Sequence, residues 1–369
     1  MKKVIALLLA LLMVFGLAAC GTPSNNSSNA NTEPETPKWP ADAVTLYFPY
    51  NESSATAQNA NVLADWIREQ TGAKVEVEFN ATGNGEALAQ KLLKEDADGL
   101  QIMAIGLDAL TAFHEGVWSN DPTDTSKFTI VTGMIQPYPY SGCMLITQKD
   151  SPFDDWESLV KQIEAYPYPT YSAAKDGHVT VANRTGSIMT TKIKALFIQA
   201  GLYDKVEWVT CNRDELSVGI ENGAIQVSIH DETNAAKSYL SQPDKYKGII
   251  NCRADNEFGY YPADTANLDL IKAVPTLLDV FGKDKAESYN VPNTTALIVK
   301  AGTDPAIVAQ IKECIDGLEN VPQSTDEKSF YVRQRNQGGT SKYYTWPAAD
   351  ILTEWQRLSA IIKDIVKGK

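Results

Sequence analysis

Residues 44–79 read VTLYFPYNESSATAQNANVLADWIREQTGAKVEVEF. The first five are apolar and β-forming and stop at Pro49, residues 57–70 place apolar side chains at helical spacing and end before Gly72, and residues 74–79 return to a strand pattern. Moving outward, 86–95 has helical spacing, 100–105 is a short apolar strand and 107–114 a short helix. This is β-α-β-α-β, an alternation that implies a parallel sheet with helices on both faces. A second series follows, with strands at 178–182, 206–210 and 225–229 and helices at 188–200, 214–222 and 233–240.

Two α/β units in one chain need connections. Residues 128–134 and 143–148 are short apolar strands placed between the units, where they serve as crossovers. Residues 248–252 and 296–300 also read as strands, and Thr303 or Asp304 with Pro305 opens a helix over 306–318. A last helix over 348–367 lines up Ile351, Trp355, Leu358, Ile361, Ile362 and Val366 as packing surface. The expected fold class is α/β: two doubly wound α/β domains joined by crossover strands, with a ligand cleft between domains. Domain 1 is expected over 39–136 plus 253–344, domain 2 over 137–252, and the C-terminal helix over 345–369.

The N-terminus predicts a compartment. Lys2 and Lys3 precede an apolar run over 4–17, short for a membrane span and placed as a secretory signal. Ala18 and Ala19 then lead to Cys20, as in a lipoprotein cleaved ahead of a lipidated thiol; an ordinary signal peptide is the alternative. Residues 21–38 lack large apolar side chains and read as a disordered tether. Removing residues 1–19 takes away two lysines and no acid, moving the net charge from −13 to −15. Such a balance argues against a nucleic-acid partner. About 330 residues remain after Lys38, enough for two domains and a sizeable core.

Chemical motifs are sparse. The sequence has neither a G-x-S-x-G elbow nor a Walker A loop. Gly83-Asn84-Gly85 follows a strand, but the third small residue of a dinucleotide fingerprint is replaced by Leu88. His114, His178 and His230 lack metal-ligand spacing. Cys143, Cys211, Cys252 and Cys314 fit either two disulfides or buried free thiols. The expectation is a protein that is not an enzyme and needs no cofactor or metal.

Polar loops at the C-terminal ends of strands, each opening a helix, are the candidate binding residues. In open α/β sheets ligands sit off these ends, where free N–H groups and the helix dipole meet polar groups. The candidates are Tyr50, Asn51, Glu52, Ser53, Ser54 and Thr56 in the first loop, and Gly106 and Asp108 in the second. Asn183, Arg184, Thr185, Gly186, Ser187 and Asp231 come from the second unit. Tyr138, Tyr140, Tyr166, Tyr168 and Tyr171, interleaved with prolines, either wall the cleft or form rigid surface loops.

Trp39-Pro40 followed by Val44-Thr45-Leu46-Tyr47-Phe48-Pro49-Tyr50 resembles the opening motif of the tripartite tricarboxylate transporter receptors, or Bug receptors. Gly83-Asn84-Gly85, Ala97-Asp98-Gly99, Val181-Ala182-Asn183 with Gly186-Ser187, Glu221-Asn222-Gly223, Val274-Pro275-Thr276 and Ala301 to Val308 continue the resemblance in family order over nearly the whole chain after Lys38. It implies a type II periplasmic-binding-protein fold and a monomeric, extracytoplasmic receptor, anchored to the membrane through Cys20. Such a receptor hands a small carboxylate-bearing molecule to a cognate membrane permease. A ligand-sensing input to a two-component system is the alternative, and an exported α/β enzyme a remoter one. The implied topology sets Cys211 and Cys252 near opposite sheet edges, so free thiols are expected. The chain departs from the family at Glu52, in a loop usually rich in Gly and small residues, at Asp108, where a small hydroxyl or Gly is usual, and at Arg184, in a loop usually made of small residues, while Asp231 and Glu232 add negative charge at the second jaw. These acids either cap helices and face water or point inward; one inward acid beside Arg184 would suit a ligand with both charges, as in an amino acid.

Overall fold

The computed structural model describes residues 38–52, 55–135, 142–169, 177–258, 267–289, 291, 294–322, 324–336 and 344–367. Cys20, the leader and most of the tether lie outside the described residues, as do Ser53, Ser54, Tyr138, Tyr140, Tyr171 and the first crossover near 136–137. Among the described residues no helix is long and apolar enough to cross a membrane.

Strand β1 (Val44–Phe48) alternates between two cores, with Val44, Leu46 and Phe48 facing one and Tyr47 the other. Helix α1 (Ala55–Thr71) buries Ala60, Leu63, Ala64 and Ile67, one stripe at i, i+3, i+4 and i+7. It stops at Gly72, whose φ of 72° turns the chain while its N–H donates to the Arg68 carbonyl at 2.8 Å. Then come β2 (Val75–Phe79), α2 (Glu86–Leu92), β3 (Gln101–Gly106), α3 (Leu107–His114) and β4 (Phe128–Ile135). β1 pairs in parallel with β2 and β3.

The smaller lobe contains β5 (Cys143–Gln148), α4 (Trp156–Ala165), β6 (Thr180–Asn183), α5 (Ile188–Gln199), β7 (Glu207–Thr210), α6 (Arg213–Glu221), β8 (Ser228–Asp231), α7 (Glu232–Ala235) and β9 (Tyr246–Asn251). Next are three short helices, α8 (Leu268–Lys272), α9 (Leu277–Phe281) and α10 (Lys283–Tyr289). The chain returns with β10 (Thr295–Lys300) and α11 (Pro305–Asp316), and finishes with α12 (Phe330–Asn336), β11 (Tyr344–Trp346) and α13 (Ala348–Val366).

The larger sheet has the order β11-β4-β10-β3-β1-β2. In the smaller lobe β8-β5-β9 and β6-β7 are separate ladders, linked by a parallel bridge from Val181 to Val227. Taken through that bridge the order is β7-β6-β8-β5-β9, which repeats β2-β1-β3-β10-β4. In each lobe three strands run second, first, third, and a strand arriving from the other lobe lies antiparallel to the third. The molecule is thus a two-lobed α/β fold whose sheets are mixed rather than wholly parallel.

Several expectations need correction. The strand expected over 225–229 is displaced to β8, because Val227 spends its carbonyl on the Ala182 N–H at 2.9 Å instead of joining the ladder with β5. The helix over 233–240 divides into α7 and a π-helical turn, Ala236–Leu240. Helix α4 was not foreseen; Asp155 caps it in a reciprocal pair with Ser158. The return to the larger lobe does not begin at residue 253: Ile271, Val274, Leu277 and Ala286 are packed in the smaller lobe's cores. The C-terminal segment is part of the larger lobe, since β11 extends its sheet and α13 packs on its core through Ile351, Trp355 and Leu358.

The four cysteines among the described residues are free thiols, and Cys211 and Cys252 follow strands at opposite ends of the smaller lobe's order. Helix α5 has nine of its twelve residues buried, and it serves two cores. Ile193, Leu196 and Phe197 belong to the smaller lobe, whereas Ile188 and Ala195 join Leu110, Ala112, Trp355 and Leu358 of the larger.

Candidate functional site

The loops after β1, β3, β6 and β7 meet around one cavity of about 450 Å³. From the sequence candidates, Tyr50, Asn51, Gly106, Asp108, Arg184, Thr185, Gly186 and Ser187 line it. Pro49, Ala81, Asn84, Ala109, Thr210, Cys211, Asn212 and Glu215 complete the described lining. Glu52 is exposed and outside the lining, and Thr56 falls in the first turn of α1.

Asn183 and Asp231 do not line the cavity either. Asn183 ends β6 with its amide nitrogen 3.4 Å from Thr210 Oγ1, while its Oδ1 is buried and has no donor among the described residues. Asp231 caps α7, accepting the Asn234 N–H and the Thr233 hydroxyl, each at 2.8 Å. Its neighbour Glu232 is fully buried and accepts from Arg253 Nη1 at 3.2 Å and Asn251 Nδ2 at 2.6 Å. These two acids therefore serve the framework. Tyr166 and Tyr168 also lie outside the lining; Tyr168 packs its ring on His178, with centroids 5.6 Å apart.

The N-terminus of α5 is where a bound anion would ordinarily sit, and the protein occupies it itself. Gly186, at a φ of 69°, turns the loop so that its N–H points at the larger lobe, where Glu115 Oε2 accepts it. Asp108 Oδ1 accepts the Ile188 N–H at 2.7 Å. The Ser187 N–H, expected to be available for a ligand, donates instead to the Arg184 carbonyl at 3.2 Å, closing the turn. Asn84 adds a contact across the lobes, donating to the Thr185 carbonyl at 3.2 Å, and Thr111 and Thr191 hydroxyls meet at 3.1 Å beneath. Gly83-Asn84-Gly85 thus forms a left-handed turn, with φ of 60°, 53° and 94°, that presents Asn84 to the opposite lobe.

Charge in the cavity is divided. Burial pushes the Asp108 carboxyl above its usual range, against the opposing effects of the Ile188 N–H and of the Arg184 and Lys192 charges. Burial also raises the Tyr50 phenol, with the Asp108 charge adding to the shift. Arg184 is anchored by its backbone N–H to Thr190 Oγ1 at 2.9 Å. Among the described residues no carboxylate lies within ion-pairing distance of its guanidinium. A second acid, Glu215, stands at the exposed mouth, where its side chain accepts the Asn212 N–H at 2.8 Å and Asn212 Oδ1 accepts the Glu215 N–H at 2.9 Å. This reciprocal cap opens α6 and was readable as Asn-x-x-Glu after a strand.

Neither a protein-family model nor a curated protein matches the sequence. Solved structures do. A TctC solute-binding protein from Polaromonas superposes with a TM-score of 0.60 at 16% identity, covering 89% of this chain and 99% of its own. MatC from Rhodopseudomonas palustris, solved with bound malate, gives 0.62 at 16%, over 89% and 100%. Another R. palustris protein, solved with adipate, gives 0.61 at 14%, over 90% and 98%. At these identities the likeness is one of architecture, and the chain has the two-lobed fold of the TctC-type and Bug-type solute-binding proteins.

Proposed function

We propose that the chain is an extracytoplasmic solute receptor of the tricarboxylate-transporter type. It takes a small carboxylate-bearing molecule into the cavity between its lobes and passes it to a membrane permease. In this reading it works as a monomer tethered through Cys20, and it carries out no chemistry on the solute. One observation carries the reading: strand-end loops of both lobes converge on one cavity, and Arg184 is the cation of the described lining, without an ion-pair partner among the described residues. A guanidinium in that setting forks onto a carboxylate through two parallel N–H bonds. The malate and adipate held by two proteins of this fold support a solute of that size and charge.

Titration calorimetry of the full chain in detergent tests the reading, after a thermal-shift screen against small carboxylates and amino acids. Arg184→Ala is expected to weaken binding by about 2–5 kcal/mol, and Arg184→Lys to recover part of it. An Arg184→Ala affinity within about threefold of wild type, under roughly 0.7 kcal/mol, removes Arg184 from the site.

A further inference from the structure

We propose that the cavity selects a solute carrying a protonated amine beside its carboxylate, with Asp108 holding the amine while Arg184 holds the carboxylate. The inference rests on the receptor reading above and concerns what that same cavity accepts.

The first ground is that the anion position at the start of α5 is already taken. The Ile188 N–H is bonded to Asp108, the Gly186 N–H to Glu115, and the Ser187 N–H to the loop's own Arg184 carbonyl. A solute carboxylate arriving here would have to displace two carboxylates of the protein from donors they already satisfy. Arg184 is the cation of the described lining left to receive it.

The second ground is the unfinished bonding of Asp108. Its Oδ1 accepts the Ile188 N–H, and the other donor to the carboxylate among the described residues is its own backbone N–H, which leaves lone pairs open. Oδ2 lies beside Gly106, where a Cβ would come within 3.7 Å of it and within 3.2 Å of the Tyr50 hydroxyl. Both residues line the cavity, so this oxygen stands at its wall. Acceptors short of donors call for N–H groups on the ligand.

Charge gives the third ground. The described lining holds Asp108 and Glu215 against Arg184, an excess of one negative charge. A solute with only carboxylates would place like charges together in a partly dehydrated cleft, where they repel more strongly than in water. An ammonium group removes that repulsion and supplies the missing donors. The rival account makes Asp108 a helix cap and nothing more.

Matched pairs of solutes separate these accounts. The full chain in detergent is titrated with L-aspartate against succinate and L-glutamate against glutarate, then with the remaining amino acids against their deaminated acids. The amine-bearing member of the binding pair is expected to bind at least about a hundredfold more tightly, a gap of roughly 2.7 kcal/mol. Asp108→Asn keeps an oxygen for the Ile188 N–H and loses the charge, so it should shrink the gap to under about tenfold. Equal or tighter binding of the nitrogen-free acid to wild type overturns the inference while the receptor reading stands. An undiminished gap in folded Asp108→Asn removes Asp108 from the amine's recognition and likewise overturns it. If no member of either set binds, the receptor reading falls and the inference with it.

Discussion

Helix α5 meets the larger lobe in two contrasting ways. Along its flank Ile188 and Ala195 pack into an apolar core with Leu110, Ala112, Trp355 and Leu358. At its N-terminus it offers N–H groups to Asp108 and Glu115 and a loop carbonyl to Asn84. Apolar burial is non-directional and accumulates with area, so it holds surfaces together without discriminating among ligands. Each polar contact at the tip adds only about 0.5–1.5 kcal/mol net, more where a charge takes part, but its geometry and charge can be satisfied by few partners. The flank therefore keeps the lobes joined, and in the proposed reading the tip decides what lies between them.

The division can be broken first at the flank. Trp355 is fully buried and donates Nε1–H to Thr294 Oγ1 at 2.7 Å, close to the point where the Leu107 N–H meets the Thr294 carbonyl. Trp355→Ala is expected to lower the unfolding free energy by about 3–5 kcal/mol in urea denaturation. The fraction that stays folded should keep its solute affinity within about threefold. A large loss of affinity with little loss of stability would erase the distinction between flank and tip.

Gly186→Ala strikes the tip with a smaller effect. The position has a φ of 69°, and an added Cβ would collide with the Asn84 amide. A loss of about 1–3 kcal/mol is expected, from backbone strain and the displaced contact. Unlike Trp355→Ala, the variant should also bind solute more weakly, because the turn orients Arg184.

The mildest test sharpens the comparison through pH. Burial raises the Asp108 carboxyl in the folded protein, so the fold favours its protonated form. The stabilising contribution is complete below the unfolded value, near pH 3.9, and is lost as pH rises through the elevated folded value. Wild type measured against Asp108→Asn should thus look relatively more stable at pH 4 than at pH 7, and a difference that is flat over this range would contradict the burial of Asp108.

The sequence showed the framework wherever the signal was local. Helix α1 was legible from its Ala60, Leu63, Ala64, Ile67 stripe and the Gly72 stop, and β5 from an unbroken apolar run. Trp156, Leu159 and Ile163 carry a helical stripe too, but α4 opens with Asp155 and Ser158 instead of the commoner pairing with Glu or Gln, in an acidic stretch that reads as loop. Strand-end loops were legible as candidate binding loops because a doubly wound sheet puts them on one edge. What Asp108 bonds to was not, since Ile188 lies 80 residues further on, and the same holds for Glu115 and Gly186, 71 apart. Such pairs exist only after two lobes have packed, and no local pattern encodes them.

Because α5 lends Ile193, Leu196 and Phe197 to one core and Ile188 and Ala195 to another, neither sheet can melt while the other stays dry. Opening the smaller lobe would bare part of the larger one's interior to water. Two-lobed chains joined only by strands are free to denature in separate steps, each with its own heat absorption. Here a shared helix couples the steps, so the two lobes are expected to unfold as one cooperative unit, and a smaller lobe excised at its sheet boundaries would carry an apolar stripe with nothing to cover it.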